Sequence, residues 1–264
     1  MKSGYFTLAI GNPRYAELAN ILAYSLHDVG ITNISILTDD KCKPHIHDGL
    51  FEQVLDFTDE YIKDKPYWGL AKLLMYKYLP YDRSVFIDAD SLAGVQFKGC
   101  DDFDFKFTTS YGTSGWGNWK RSQWPVPKLD LDLKFPTPTH QATSIMWYGG
   151  YHEIHEKAIY FHELIRQSNQ CTRLWFNCIP DELCYVLAYA SMEMENIGDR
   201  GFNKTLANAK SITKDKETGI KTYSSGDYPL FHGAVRDYNG HVMKLASKYK
   251  FKFSGWVDKR RWRK

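Results

Sequence analysis

The sequence predicts an α/β protein with a mostly parallel central sheet flanked by helices, and three observations carry that expectation. Short β-branched and aromatic runs alternate with helical patterns through the first hundred residues, the signature of βαβ units. One apolar run, Ser84-Val85-Phe86-Ile87, follows a Pro80-Tyr81-Asp82-Arg83 turn and ends in Asp88-Ala89-Asp90. With 264 residues, 43% apolar and 16% aromatic, the chain has enough apolar surface to fill a large core in one elaborated domain or two intimately packed halves.

Taken in order, Tyr5-Phe6-Thr7-Leu8-Ala9-Ile10 reads as the first strand, closed by Gly11-Asn12-Pro13. A helix follows, in which Ala16, Leu18, Ala19, Ile21, Leu22, Ala23 and Leu26 form a broad apolar face up to Gly30. Ile34-Ser35-Ile36-Leu37 reads as a second strand ending at Asp39-Asp40, and Phe51 to Phe57 as a third. Tyr67 to Leu79 reads as a helix that delivers the chain to the strand before Asp88. Tyr111 to His140, rich in Gly, Trp and Pro, reads as an irregular loop region in which Trp116, Trp119 and Trp124 either wall an acceptor or cap the core. Asp181-Glu182 opens an apolar helix, Leu183 to Ala190.

Several classes are disfavoured. No stretch reaches the roughly 18 apolar residues of a membrane span, and Met1-Lys2-Ser3-Gly4 leads into a strand rather than a signal peptide, so a cytoplasmic protein is expected. Cys42, Cys100, Cys171, Cys178 and Cys184 are odd in number and lack C-x-x-C spacing, which favours reduced thiols over a disulfide framework or structural zinc. The segment around His152, Glu153, His155, Glu156, His162 and Glu163 lacks H-E-x-x-H spacing and reads as a surface helix. Neither G-x-G-x-x-G nor G-x-x-x-x-G-K-[ST] occurs, so phosphate charge falls to a metal and to side chains.

In open parallel sheets ligands bind at the carboxyl ends of the strands, where Asn12, Tyr15, Asp39 and the Asp88/Asp90 pair would all lie. Two carboxylates two residues apart where a strand stops suit a hard divalent ion that still has room for a phosphate. Lys72, on the helix before that strand, is the candidate cation for the phosphate.

The run Lys72 … Tyr81-Asp82-Arg83-Ser84-Val85-Phe86-Ile87-Asp88-Ala89-Asp90 resembles the nucleotide-binding half of GT-A glycosyltransferases, especially the glycogenin-like and lipopolysaccharide galactosyltransferase group. The resemblance implies a GT-A-like single domain: residues 1–100 bind a nucleotide-sugar, 101–243 form the acceptor-binding half, and 244–264 form a basic aromatic C-terminal segment. It implies Mn²⁺ or Mg²⁺ held by Asp88 and Asp90 against the donor diphosphate. Ala142-Thr143-Ser144-Ile145-Met146-Trp147-Tyr148 falls where the family has its acceptor-side strand, and Asp181 or Glu182 where it carries an acid beside the reacting sugar. One of those two acids is equally well explained as a helix N-terminal carboxylate. Phe231-His232-Gly233-Ala234-Val235-Arg236 resembles the late motif that completes the metal site and meets the phosphates. Here His232 stands directly before Gly233 rather than three before it, and Arg236 replaces the usual Lys.

The expected reaction is metal-dependent transfer of a sugar from a nucleotide-diphosphate sugar, with uridine the family's usual base, to an acceptor hydroxyl. Inversion would use Asp181 or Glu182 as general base, whereas the resemblance favours retention. Residues 244–264 hold nine Lys or Arg against one acid, Asp258, a net +8 in a chain of total +3, so the remainder is net −5. The alternation Lys248-Tyr249-Lys250-Phe251-Lys252-Phe253 fits a plain edge strand, a nucleic-acid acceptor or a glycolipid acceptor at a membrane surface. Two other classes stay open: a Mg²⁺-dependent nuclease or phosphohydrolase, and a non-catalytic binder of nucleotide-sugars or nucleic acid.

Overall fold

The computed structural model describes residues 2–58, 68–93, 108–111, 141–148, 153–167 and 179–192, together with strands at 204–205, 212–214, 221–223 and 230–232. The strands are β1 (Ser3–Ala9), β2 (Ile34–Thr38), β3 (Gln53–Asp56), β4 (Arg83–Ile87), β5 (Leu92–Ala93), β6 (Thr108–Tyr111), β7 (Gln141–Tyr148), β8 (Lys204–Thr205), β9 (Ile212–Lys214), β10 (Lys221–Tyr223) and β11 (Leu230–His232). Among the described residues, four α-helices accompany them: α1 (Pro13–Asp28), α2 (Trp68–Leu74), α3 (Glu153–Gln167) and α4 (Asp181–Ser191).

The main sheet has the order β3-β2-β1-β4-β7-β6. β3, β2, β1 and β4 run parallel, while β7 lies antiparallel to both β4 and β6. The chain builds outward from β1 through β2 to β3, then returns to place β4 on the other side of β1. That reversal makes the carboxyl ends of β1 and β4 the switch point of the sheet, where a crevice opens between loops leaving in opposite directions.

Alternation along the strands separates two cores. Tyr5, Ala9, Ile34, Ile36, Val85 and Ile87 pack with Ala16, Leu18, Ile21, Leu22 and Leu26 of α1 on one face. Phe6, Leu8, Leu37, Phe86, Met146 and Tyr148 pack with α2, α3 and α4 on the other. Phe6 sits at the middle of that second core, its ring edge-on to Phe86 at 5.5 Å and to Tyr148 at 5.6 Å.

Local chemistry fixes where α1 begins and ends. The Asn12 side chain accepts from the Arg14 amide at 3.0 Å and Pro13 occupies the first turn. Gly30, at φ +87°, closes the helix as its amide donates to His27 O and the Ile31 amide to Leu26 O, both at 3.0 Å.

The expected helix at 67–79 is α-helical only through Leu74 and tightens to 3₁₀ over Met75–Tyr78. The helix at 153–167 departs further from its expected surface placement. Glu153 and Glu156 are exposed, but His155 and His162 are buried. Their i, i+7 spacing puts them on the stripe of Ile154, Ala158, Phe161 and Ile165. His155 lies between the rings of Tyr76 at 4.6 Å and Tyr148 at 5.1 Å, and its Nδ1 shares a 2.9 Å hydrogen bond with the Tyr185 hydroxyl. Cys42 and Cys184 are buried and outside any disulfide, while Cys100, Cys171 and Cys178 lie outside the described residues, as do the loop at 112–140 and the segment 244–264. No helix among the described residues is long and apolar enough to cross a membrane.

At the amino-terminal edge of the sheet, Tyr81 lies across Gly4, donates to Glu52 at 2.9 Å and meets the Ser35 hydroxyl at 2.7 Å. A β-carbon on Gly4 would stand 2.5 Å from the Tyr81 ring and 2.8 Å from the Asn33 carbonyl oxygen. Backbone cannot give way there. Gly4→Ala is therefore expected to lower the unfolding free energy in urea by about 1–3 kcal/mol, the usual cost of overpacking.

Candidate active site at the switch point

β4 ends at Ile87, and the chain turns at once, closed by the Ser91 amide donating to the Asp88 carbonyl at 3.0 Å. Asp88 and Asp90 therefore share a tight turn rather than one strand face. Both open on the same cavity of about 110 Å³, lined also by Leu8, Ile10, Tyr15, Lys72, Phe86 and Ala89. At roughly 30 Å³ per water, that space holds a cation with a few waters, or a phosphate group.

Lys72 comes from α2. Leu70, Ala71, Leu73 and Leu74 bury that helix, which leaves the ammonium nearly enclosed against the cavity wall. Its Nζ lies 2.6 Å from Asp88 Oδ1 and 3.7 Å from Asp181 Oδ2, within 3.5 Å of the Thr143 carbonyl, and 5.4 Å from the Phe86 ring centroid. Burial pulls the ammonium's pKa down, but Asp181, Asp88, the hydrogen bond to Asp88 and Glu182 outweigh it and hold Lys72 protonated above its ordinary 10.5.

Asp181 is the first residue of α4 and only 1% exposed. Neither carboxylate oxygen has a hydrogen-bond partner of good geometry. Burial pushes its carboxyl up from 3.8 and nearby Asp88 adds to this; Lys72 and the Thr143 hydroxyl oppose the shift without cancelling it, because Lys72 is shared with Asp88. The sign sets a testable pH dependence. A carboxyl raised in the fold favours folding below its unfolded pKa, and that contribution is lost as pH rises through the folded value. In thermal melts, Asp181→Asn should match wild type near pH 3.8 and become progressively more stable than wild type as pH rises above it.

The remaining sequence candidates are placed as follows. Tyr15, 37% exposed, lines the cavity. Asn12 caps α1 at the mouth of the same crevice, its carbonyl accepting from the Cys42 thiol at 3.2 Å. Burial and the neighbouring Asp39 push that thiol up to about 12. Asp39 does not line the cavity; its oxygens accept from the Gly11 amide at 2.7 Å and the Cys42 amide at 2.9 Å. It ties the end of β2 to the β1–α1 loop. Glu182 is half-buried beside Asp181 and within electrostatic reach of Lys72. β11 pairs antiparallel with β5 through Phe231↔Leu92 and Leu230↔Ala93, a register that carries the His232 backbone to the turn holding Asp90. Arg236 lies outside the described residues.

The donor set fits a hard divalent cation. Asp88 and Asp90 offer carboxylate oxygen at one opening, with Asp181 behind them and the Lys72 ammonium between. Among the described residues no three His, Cys, Asp or Glu side chains converge.

Sequence reasoning missed Thr143 and the burial of Asp181. The second had a signal: Asp181, Cys184, Tyr185 and Ala188 follow i, i+3, i+4, i+7 spacing, so a carboxylate sits on the buried stripe of α4.

No protein-family model matches the sequence, and no curated protein matches it. Solved structures do. The galactosyltransferase LgtC, in complex with donor and acceptor sugar analogs, is similar over 92% of this chain and 95% of that one, with a TM-score of 0.53 at 12% identity. An active-site mutant of LgtC gives a TM-score of 0.53 at 11% identity, covering 92% of this chain and 95% of that one. The apo bifunctional glycosyltransferase WbbM gives 0.50 at 11% identity, covering 89% of this chain and 46% of that one. The likeness is one of fold: this chain has the GT-A-like α/β architecture of these glycosyltransferases.

Proposed function

We propose that the protein is a metal-dependent glycosyltransferase that takes a sugar from a nucleotide-diphosphate sugar, most simply a UDP-sugar, and passes it to an acceptor hydroxyl. The observation that carries this reading is the Asp88/Asp90 turn, open on one cavity with Lys72 at the switch point of a GT-A-like sheet. Asp88 and Asp90, with His232 as the third candidate, would hold Mn²⁺ or Mg²⁺. When bound, such an ion supplies Lewis-acid stabilisation of the charge that develops on a departing diphosphate.

The chain's own residues supply the rest. Lys72 is fixed as a cation in a poorly hydrated wall, where its charge acts more strongly on a phosphate than it would in water. Arg236 is the second phosphate-facing cation in this reading. Tyr15 and Asn12 border the crevice and bind the donor, and Asp39 holds their loop in place. Asp181 is sealed behind Lys72, which suits positioning the ammonium, whereas Glu182, half-buried on the same helical turn, is the acid left to face the reacting sugar.

Binding and hydrolysis across a panel of nucleotide-sugars, with Mn²⁺ and with EDTA, test the reading. One donor should bind and be slowly hydrolysed only with the divalent ion. Phosphodiester cleavage with no donor bound would replace the proposal by a nuclease. Residues 244–264 are proposed to engage an anionic acceptor such as a lipopolysaccharide-type glycan. Truncation after Val242 should then abolish transfer to a polymeric or membrane-borne acceptor while leaving donor hydrolysis within about twofold, since rim charges act mainly on association.

A further inference from the structure

We propose that Asp181 is a second seat for the Lys72 ammonium, so that Lys72 leaves Asp88 for Asp181 when a divalent cation takes Asp88 and Asp90. The inference rests on the cation-site reading of those two carboxylates and adds a moving part to it.

Lys72 and a cation cannot both use Asp88 without bringing two positive charges together in a poorly hydrated wall. The structure shows Lys72 already on Asp88, at 2.6 Å. A divalent ion therefore meets a competitor built into its own site. Asp181 resolves the conflict because it is a fully buried carboxylate whose oxygens make no hydrogen bond of good geometry, with only the Thr143 hydroxyl and the more distant Lys72 ammonium beside it, an arrangement that costs stability unless some state of the protein satisfies it better. Its Oδ2 lies 3.7 Å from Nζ, so a shift of about 1 Å brings the ammonium into hydrogen-bond distance. The Thr143 carbonyl at 3.5 Å can stay a partner throughout, and the Phe86 ring at 5.4 Å bounds the space on another side.

The relocation explains three features together: a lysine on a cation ligand, a buried carboxylate behind it that lacks a well-formed hydrogen bond, and a cavity wall closed enough to confine the move. It also explains why Asp181 is buried away from solvent and hence from any acceptor. Asp181 is a positioning residue in this account, acting on the cation site through Lys72.

The test is a double-mutant cycle on Mn²⁺ affinity, read from the free-ion paramagnetic resonance signal in wild type, Lys72→Met, Asp181→Asn and the double variant, without any nucleotide. If Lys72 relocates, Lys72→Met tightens Mn²⁺ only modestly while Asp181 is present, but by about tenfold more in the Asp181→Asn background, where Lys72 has no second seat. Equal effects in the two backgrounds would mean a fixed point charge and overturn the proposal. Should Lys72→Met fail to fold, a crystal structure of wild type soaked with Mn²⁺ decides the question. Nζ at hydrogen-bond distance from Asp181 and withdrawn from Asp88 supports the relocation; Nζ still on Asp88 beside bound Mn²⁺ overturns it. Absence of Mn²⁺ binding to wild type, with Asp90→Asn no different, would remove the cation site itself and the relocation with it.

Discussion

Asp88→Ala and Asp90→Ala are each expected to lower kcat/KM for sugar transfer by on the order of 10³ or more, while changing unfolding free energy by about 1 kcal/mol or less. The asymmetry follows from where the carboxylates stand. Both lie in the turn after β4 and open on the cavity, so neither supports the core packing of Val85, Phe86 and Ile87. Asp88 does engage Lys72, but its removal leaves the ammonium Asp181 and the Thr143 carbonyl, so no buried charge is stranded. Steady-state kinetics with the donor identified from the panel, beside urea melts of the same preparations, measure both halves. A loss of activity that tracks a loss of stability would instead make the pair structural.

Lys72→Met has the opposite balance, with a large effect on the fold as well as on activity. Removing the ammonium strands Asp181 in a fully buried position and takes from Asp88 the cation that it engages at 2.6 Å. Breaking a buried charge pair from one side costs about 3–5 kcal/mol, because the remaining charge keeps its desolvation penalty and loses its compensation. Lys72→Met/Asp181→Asn should recover part of that loss, since the stranded charge disappears. The pH profile has a definite sign. A lysine whose folded pKa is raised contributes stability in full below its unfolded value, ordinarily 10.5, and loses it as pH rises through the folded one. The wild-type advantage over Lys72→Met that stems from Lys72 itself should persist through neutral pH and fade only in strong alkali.

How much of this could be read from the sequence varies with the physics that fixes each part. The strands at 5–10, 34–37 and 84–87 were legible as short continuous apolar runs, because a strand covered on both faces is apolar throughout, and the first helix by its 3.6-residue apolar period. The site's location followed from those elements, since a parallel sheet gathers the ends of β1 and β4 at one crevice. What the pattern could not supply was pairing at long range. β7 adds to β4 antiparallel through Val85↔Trp147 and Phe86↔Met146, and this brings Thr143 against Lys72 across 71 residues of sequence.

Charged residues were harder to place than apolar ones. The sequence left open which of Asp181 and Glu182 faces the reacting sugar and which is a helix N-terminal acid, and the histidines of α3 looked like surface residues, because polarity argues for exposure unless a partner compensates. Such partners come from other elements: Lys72 for Asp181, and Tyr185 with the Tyr76 and Tyr148 rings for His155. Asp39, placed by the sequence at the ligand-binding ends of the strands, accepts from the Gly11 and Cys42 amides and organises the loop that carries Asn12 and Tyr15.

The most direct measurement is a calorimetric titration of UDP into wild type and Asp90→Ala, each with Mn²⁺ and with EDTA. UDP is expected to bind wild type only with Mn²⁺, with binding lost in EDTA and in Asp90→Ala. UDP binding of equal strength in Mn²⁺ and EDTA, unchanged by Asp90→Ala, would contradict the claim that the Asp88/Asp90 turn joins a metal to a diphosphate.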